Sequence, residues 1–301
     1  MPEVELSGGH RASYEVIGTG APMMMFPGGP GLTGAYLRPT ADLLSDRFES
    51  FLLDPPGSGA STPPSYAAGY DHLGHARFYE EVRAALGLER VSVLGHSFGA
   101  AVALTYAALF PDHVLSCISV DGLTLGGESE GPEAAEVEAA MQAGLDRHRD
   151  APWYPEAIAV MNDWTDRALA ATDGREIDRM MATVQPLYFA HPDRPDVKER
   201  LEEWTKNMRF DLAAVQAWEG GLWQTIDLRP LLPQITCPLL VIAGADDFIC
   251  GPEQAKLIAR EAPGADLLVI PDCGHNPDLE APDELKRGIF DWWDQQALSV
   301  S

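Results

Sequence analysis

The stretch Val91-Ser92-Val93-Leu94-Gly95-His96-Ser97-Phe98-Gly99-Ala100 decides the fold. Residues 91–94 form a short, mostly apolar run ending at a glycine, as expected of a strand buried on both faces. Residues 100–110 are rich in Ala and Leu and stop at Pro111, as expected of a helix. Between them lies Gly95-His96-Ser97-Phe98-Gly99, which fits the nucleophile elbow G-x-S-x-G. That pattern alone recurs by chance; the strand before it and the helix after it make it specific. So tight a strand-to-helix turn crowds the side chains beside the serine, and the flanking glycines relieve the crowding. Ser97 would then stand above the sheet at a helix N-terminus, whose positive end favours developing negative charge.

Similar runs lie on either side. Residues 23–26 end at Pro27-Gly28-Gly29-Pro30-Gly31, and residues 50–54 end at Pro55-Pro56-Gly57-Ser58-Gly59. Residues 115–120 end at Asp121-Gly122, 238–243 end at Gly244, and 266–270 form the last run. All are expected to be buried on both faces; the weaker alternation over 14–17 predicts an edge strand. Helical patterns over 71–86, 252–260 and 282–297 intervene, the last two with Pro in the first turn. Strands alternating with helices predict an α/β fold with a mostly parallel, doubly wound sheet. Residues 123–223 break the rhythm. They are acidic, punctuated by Gly and Pro, and show helical patterns over 133–149, 155–171, 175–187 and 196–208. The expected organisation is a core of residues 1–122 and 224–301 with a helical cap over 123–223.

The chain has 301 residues, long enough for one large domain with an insertion. Its 46 Asp and Glu against 21 Lys and Arg give a formal net charge of −25. Such a surface repels phosphate backbones and anionic membranes, so neither nucleic acid nor membrane is an expected partner. A small molecule or short peptide is the expected substrate. Met1-Pro2-Glu3-Val4-Glu5 carries no signal-like pattern, and no apolar run reaches the ~18 residues of a membrane span. The cysteines Cys117, Cys237, Cys250 and Cys273 form no CxxC pair and read as thiols of a reducing, cytoplasmic compartment. No metal and no cofactor is expected.

A serine hydroxyl needs a base, and the base needs an orienting acid. His275, in a loop just past the last apolar run, is placed to reach the sheet top. The other histidines lie beside the serine (His96) or in termini, helices and the insertion. The acid candidate is Asp247 in Gly244-Ala245-Asp246-Asp247, with Asp246 as its neighbouring rival and Asp121 as a further possibility. An oxyanion hole needs two amides aimed at one point. Phe98 is expected to supply one and Gly29 the other, with Gly28 the alternative, since Pro30 has no N–H. A carboxylate-nucleophile dehalogenase or epoxide hydrolase is disfavoured by the serine at 97.

These pieces resemble the α/β-hydrolase superfamily, and within it the proline iminopeptidase-like group. The resemblance rests on Gly28-Gly29-Pro30-Gly31, Asp54-Pro55-Pro56-Gly57-Ser58-Gly59-Ala60-Ser61, Gly95-His96-Ser97-Phe98-Gly99, Gly244-Ala245-Asp246-Asp247, and Gly274-His275-Asn276-Pro277 with Glu280 and Pro282. It covers the two core segments in order and matches the insertion only as a helical cap. It implies a Ser97–His275–Asp247 triad beneath that cap, acting on a small peptide or amide with an N-terminal proline. Gly28, His96, Trp218 and Glu219 are its implied substrate contacts. The chain departs at Pro27, where the family has His, at Pro56, where it usually has Arg, and at Phe248, where some members carry Glu. An esterase, a lactonase and a non-catalytic binding member therefore stay open beside the peptidase.

Overall fold

The computed structural model describes residues 1–65 and 67–296. Among them, eight strands form one sheet in the order β1-β2-β4-β3-β5-β6-β7-β8. The strands are β1 (Glu3–Glu5), β2 (Arg11–Ile17), β3 (Ala21–Phe26), β4 (Phe48–Leu53), β5 (Val91–His96), β6 (Val114–Val120), β7 (Leu239–Gly244) and β8 (Asp266–Ile270). β1–β2 and β2–β4 pair antiparallel; every pairing from β4 through β3 to β8 is parallel. The α/β-hydrolase arrangement expected from the sequence is therefore the one observed.

The continuous apolar runs follow from cover on both faces. Along β3, Met24 and Phe26 enter one core with Tyr79 of helix His72–Ala85, while Met23 and Met25 enter the other with Leu44 of helix Arg38–Leu44. Phe26 stacks on Tyr79 with ring centroids 4.3 Å apart. Helices Phe98–Leu109 and Pro252–Glu261 complete the first layer, and Pro282–Gln295 the second.

Two expectations need correcting, and one helix was not anticipated. β8 is not buried on both faces: Leu267 is 40% and Val269 36% exposed, because β8 is the last strand of the sheet. The edge strand expected at 14–17 is observed as the free end of β2: those residues pair only with β4, while β1 covers residues 11–13. The helix expected over 155–171 is two helices, Tyr154–Asn162 and Trp164–Ala170, broken at Asp163. Leu212–Ala217 is a helix that the sequence pattern did not single out. The last expected helix reaches Gln295, and Ala297 lies outside the described residues. Between β6 and β7 the described residues form helices and turns, with two isolated bridges, Leu125 to Asp227 within the segment and Phe210 to Leu32 outside it. No helix among the described residues is long and apolar enough to cross a membrane.

The parallel strands fix where chemistry can occur. The loops after β3, β5, β6, β7 and β8 all leave the same edge of the sheet, and β3 and β5 flank the point where the strand order reverses. Open α/β sheets bind ligands at such a point. A Cβ at Gly95 would lie 2.0 Å from Gly99 O, and one at Gly99 would lie 2.1 Å from Phe26 O. Neither contact can relax without moving backbone. Gly99→Ala is therefore expected to destabilise the fold by about 3 kcal/mol. Thermal or urea unfolding checks this, and an unchanged midpoint would refute the packing argument.

Candidate active site

Ser97 sits at φ 58°, ψ −123° between β5 and helix Phe98–Leu109. Its amide donates to Val120 O (3.0 Å) and its carbonyl accepts from Leu123 N (3.2 Å), which locks the turn onto the end of β6. The first amides of the helix have no intrahelical acceptor and point out at its positive end. Gly28 packs against this turn: a Cβ there would come 3.2 Å from Ser97 Cβ. Gly29 has φ +115°, a conformation that favours glycine. Gly29, Ser97, Phe98 and His275 all line one cavity.

The loops after β7 and β8 are tied together by backbone. Ala245 N donates to Ile270 O and Asp246 N to Cys273 O, each at 2.8 Å. Gly244 permits the approach, since a Cβ there would lie 2.0 Å from Gly274 O. His275 Nδ1 consequently meets Asp247 Oδ2 at 2.8 Å. Asp247 also accepts from Ile249 N (2.9 Å) and Cys250 N (3.3 Å). Burial alone would raise its carboxyl, but His275 and those two amides outweigh burial and hold it below the ordinary range. Asp246 turns the other way and pairs with Arg147 at 2.5 Å. Ser97's hydroxyl rests against the Cys250 thiol. Among the described residues no hydrogen bond joins it to His275.

His96 does not take the substrate-contact position expected of it. It is 4% exposed, and both ring nitrogens are engaged inside the protein. Nε2 lies 2.6 Å from His275 O, a bond in which the ring must donate. Nδ1 therefore accepts from Tyr36 OH at 2.7 Å, and burial pushes the ring down to about 3, so it stays neutral. Trp218 and Glu219 do line the cavity. Trp218 packs edge-on to Phe98 at 4.8 Å. Glu219 accepts from Trp164 Nε1 (2.8 Å) and Thr165 Oγ1 (2.7 Å), both from the helical segment.

Comparison with known proteins supplies the family. The family described as "alpha/beta hydrolase fold" matches residues 21–282. The chain belongs to that family. The hydrolase is 25% identical over 272 residues to 2-hydroxy-6-oxononadienedioate/2-hydroxy-6-oxononatrienedioate hydrolase 1 of Dechloromonas aromatica, covering 90% of this chain and 85% of that one. It is 24% identical over 295 residues to proline iminopeptidase of Lacticaseibacillus rhamnosus, covering 94% of each. An alpha/beta fold family hydrolase from Bacillus anthracis superposes with a TM-score of 0.77 at 17% identity, over 97% of this chain and 98% of that one.

The cavity of the hydrolase measures about 720 Å³. Its walls include Leu32, Leu125, Met141, Met161, Trp164 and Phe210, and its carboxylates are Glu130, Glu138 and Glu219. Among the described residues, no Lys or Arg lines it. Asp121, Asp247 and His275 offer ligand atoms within 4.8 Å of one another, a spacing that a metal ion could also use. Three contributors escaped the sequence reading: Tyr36, Cys250 and Tyr188. Tyr188, in the helical segment, accepts from His275 N at 2.7 Å. Nothing in its local sequence marks it, because it acts through a carbonyl.

Glu280 holds that segment to the His275 loop. Its buried carboxyl accepts from Gly274 N (2.6 Å), Ala190 N (2.9 Å) and His191 N (3.2 Å). Burial nevertheless pushes it up to about 7 from 4.5. A raised folded value means the folded state binds the extra proton. The associated stability is full below 4.5 and is lost as pH rises through about 7. Across that window the melting temperature of Glu280→Gln should fall less steeply than that of the parent hydrolase. Calorimetry at several pH values tests this, and parallel slopes would disprove it.

Proposed function

We propose that the hydrolase cleaves small, uncharged, largely apolar carboxylic esters or lactones through an acyl-enzyme. The observation that carries this reading is the cavity itself: Ser97 and His275 open onto apolar walls that hold three glutamates and no cation. A neutral acyl chain meets complementary surface there, whereas a carboxylate-bearing substrate meets repulsion without a partner. The relative from D. aromatica is named for a dioate; among the described residues this cavity offers neutral donors such as Ser129, Gln254 and Asn276 but no Lys or Arg to pair with two carboxylates.

In this mechanism Ser97 Oγ is the nucleophile and His275 Nε2 its base. Oγ attacks the carbonyl carbon while its proton passes to Nε2, and Asp247 holds the other ring nitrogen and stabilises the imidazolium. Amides of Phe98 and Gly29 receive the oxyanion. The C–O bond to the leaving alcohol breaks, and that oxygen takes the proton from His275. Water then repeats the sequence, releasing the acid and restoring Ser97.

A second reading, removal of an N-terminal proline, draws on Glu219 in the cavity wall and on the likeness to a proline iminopeptidase. A substrate ammonium would meet Glu130, Glu138 or Glu219, the last of which already accepts from Trp164 and Thr165. The test is a parallel assay of neutral aryl esters, lactones, a prolyl-arylamide and a dicarboxylate mono-ester. Neutral esters or lactones should exceed the prolyl-arylamide by about a hundredfold or more in kcat/KM. The reverse order would replace this reading with the peptidase. Ser97→Ala should lose about 10⁴-fold or more in kcat. Undiminished turnover in that variant would eliminate the serine mechanism for every substrate.

A further inference from the structure

Asp121 takes no part in the steps above, yet it lies fully buried beside them. It ends β6 in the left-handed region, at φ 44°, where side-chain-bearing residues are uncommon. Its amide donates to Ile242 O at 2.8 Å, and its Oδ1 accepts from Gly244 N at 2.7 Å, so the residue is stitched to β7. Its Oδ2 is buried and has no hydrogen-bond partner. One oxygen of Asp121, one of Asp247 and one nitrogen of His275 fall within 4.8 Å of each other.

Two ionised carboxylates cannot share so dry a position with a single imidazole. The titratable groups bearing on Asp121 are Asp247, Glu280, His275, the thiols of Cys250 and Cys273, and the phenol of Tyr36; none is Lys or Arg. Asp247 already accepts from His275, Ile249 and Cys250 and is the member suited to carry the charge. An ionised Asp121 would leave Oδ2 both charged and unpaired, the most unfavourable arrangement for a buried oxygen. A proton on Oδ2 removes both defects at once. Burial and the Asp247 charge push the Asp121 carboxyl far up, in the same sense.

We infer that Asp121 is a neutral carboxylic acid whose Oδ2–H donates to the Asp247 carboxylate, making it a positioning residue for the Asp247–His275 pair. The bond fixes the plane of the Asp247 carboxylate and draws part of its charge away from His275. Its catalytic consequence rests on the serine-hydrolase reading; its protonation state does not.

Two measurements test the inference separately. An infrared difference spectrum between the parent hydrolase and Asp121→Asn at neutral pH should show the C=O stretch of a neutral carboxylic acid, present in the parent and lost in the variant. A carboxylate band lost instead would overturn the assignment, whatever the enzyme's activity. In kinetics, Asp121→Ala should lower kcat/KM roughly tenfold, the loss set by one hydrogen bond and one orphaned Gly244 amide. Asp121→Asn should restore most of that loss, because its amide N–H replaces the acid O–H and its oxygen still faces Gly244 N. The acidic limb of its pH–rate profile should stay where the parent's lies. A marked displacement of that limb to lower pH would mean that a negative charge had been removed, and Asp121→Ala with parental kinetics would mean that Asp121 positions nothing. Stoichiometric Mn²⁺ or Zn²⁺ uptake abolished by Asp121→Asn would also overturn the neutral acid, in favour of a metal site.

Discussion

Ser97 is held in a backbone conformation that L-residues avoid, and the surrounding architecture is arranged to permit it. Strain of this kind costs about 1–3 kcal/mol and persists only when neighbouring structure over-determines it. Here the determination comes from three directions. β5 lies between β3 and β6, the helix beginning at Phe98 passes over Phe26 through Gly99, and the carbonyl of Ser97 is tied to Leu123. Removing any glycine of the turn puts a carbon inside backbone. The sheet, its first crossing helix and the exposed serine are therefore one object.

A second constraint works at right angles to the first. The loops after β7 and β8 are laced through Asp246 N and Ala245 N, and this lacing delivers His275 to Asp247. The helical segment joins the same lacing through Tyr188 O and the Glu280 carboxyl. Movement of that segment over the cavity consequently pulls on the residue assigned to proton transfer. His96 and Tyr36 brace its other side through the carbonyl of His275.

The sequence was most informative where burial is two-sided. Runs such as 23–26 and 239–243 are apolar at every step because both faces are covered: in the first, Met23 and Met25 face one layer and Met24 and Phe26 the other. β8 misled because an edge strand can be just as apolar while half-exposed. The elbow and the loops bearing Asp247 and His275 were legible because local chemistry writes them into glycine spacing and chain order. Spacing after Gly244 favours Asp247 over Asp246; the structure adds that Asp247 meets His275 while Asp246 pairs with Arg147, a partner no local pattern contains. The positions of Tyr36 and Tyr188 were invisible, since each acts through a bond formed only when distant strands and helices converge; Asp121 was legible as a strand-end carboxylate, but its tie to Gly244 was not. The charge of −25 was plain from the start, but its bearing on substrate emerged only from which residues line the cavity.

That lining also bears on how the site empties. Hydrolysis of a neutral ester or lactone leaves a carboxylate at neutral pH, so the reaction converts an uncharged occupant into an anion. The anion finds itself between apolar walls and glutamates, inside a molecule of net charge −25. A cavity with an arginine would hold the acid and suffer product inhibition. On the proposed reading, a lining of apolar residues and glutamates would weaken the hold on the acid product and so favour its release.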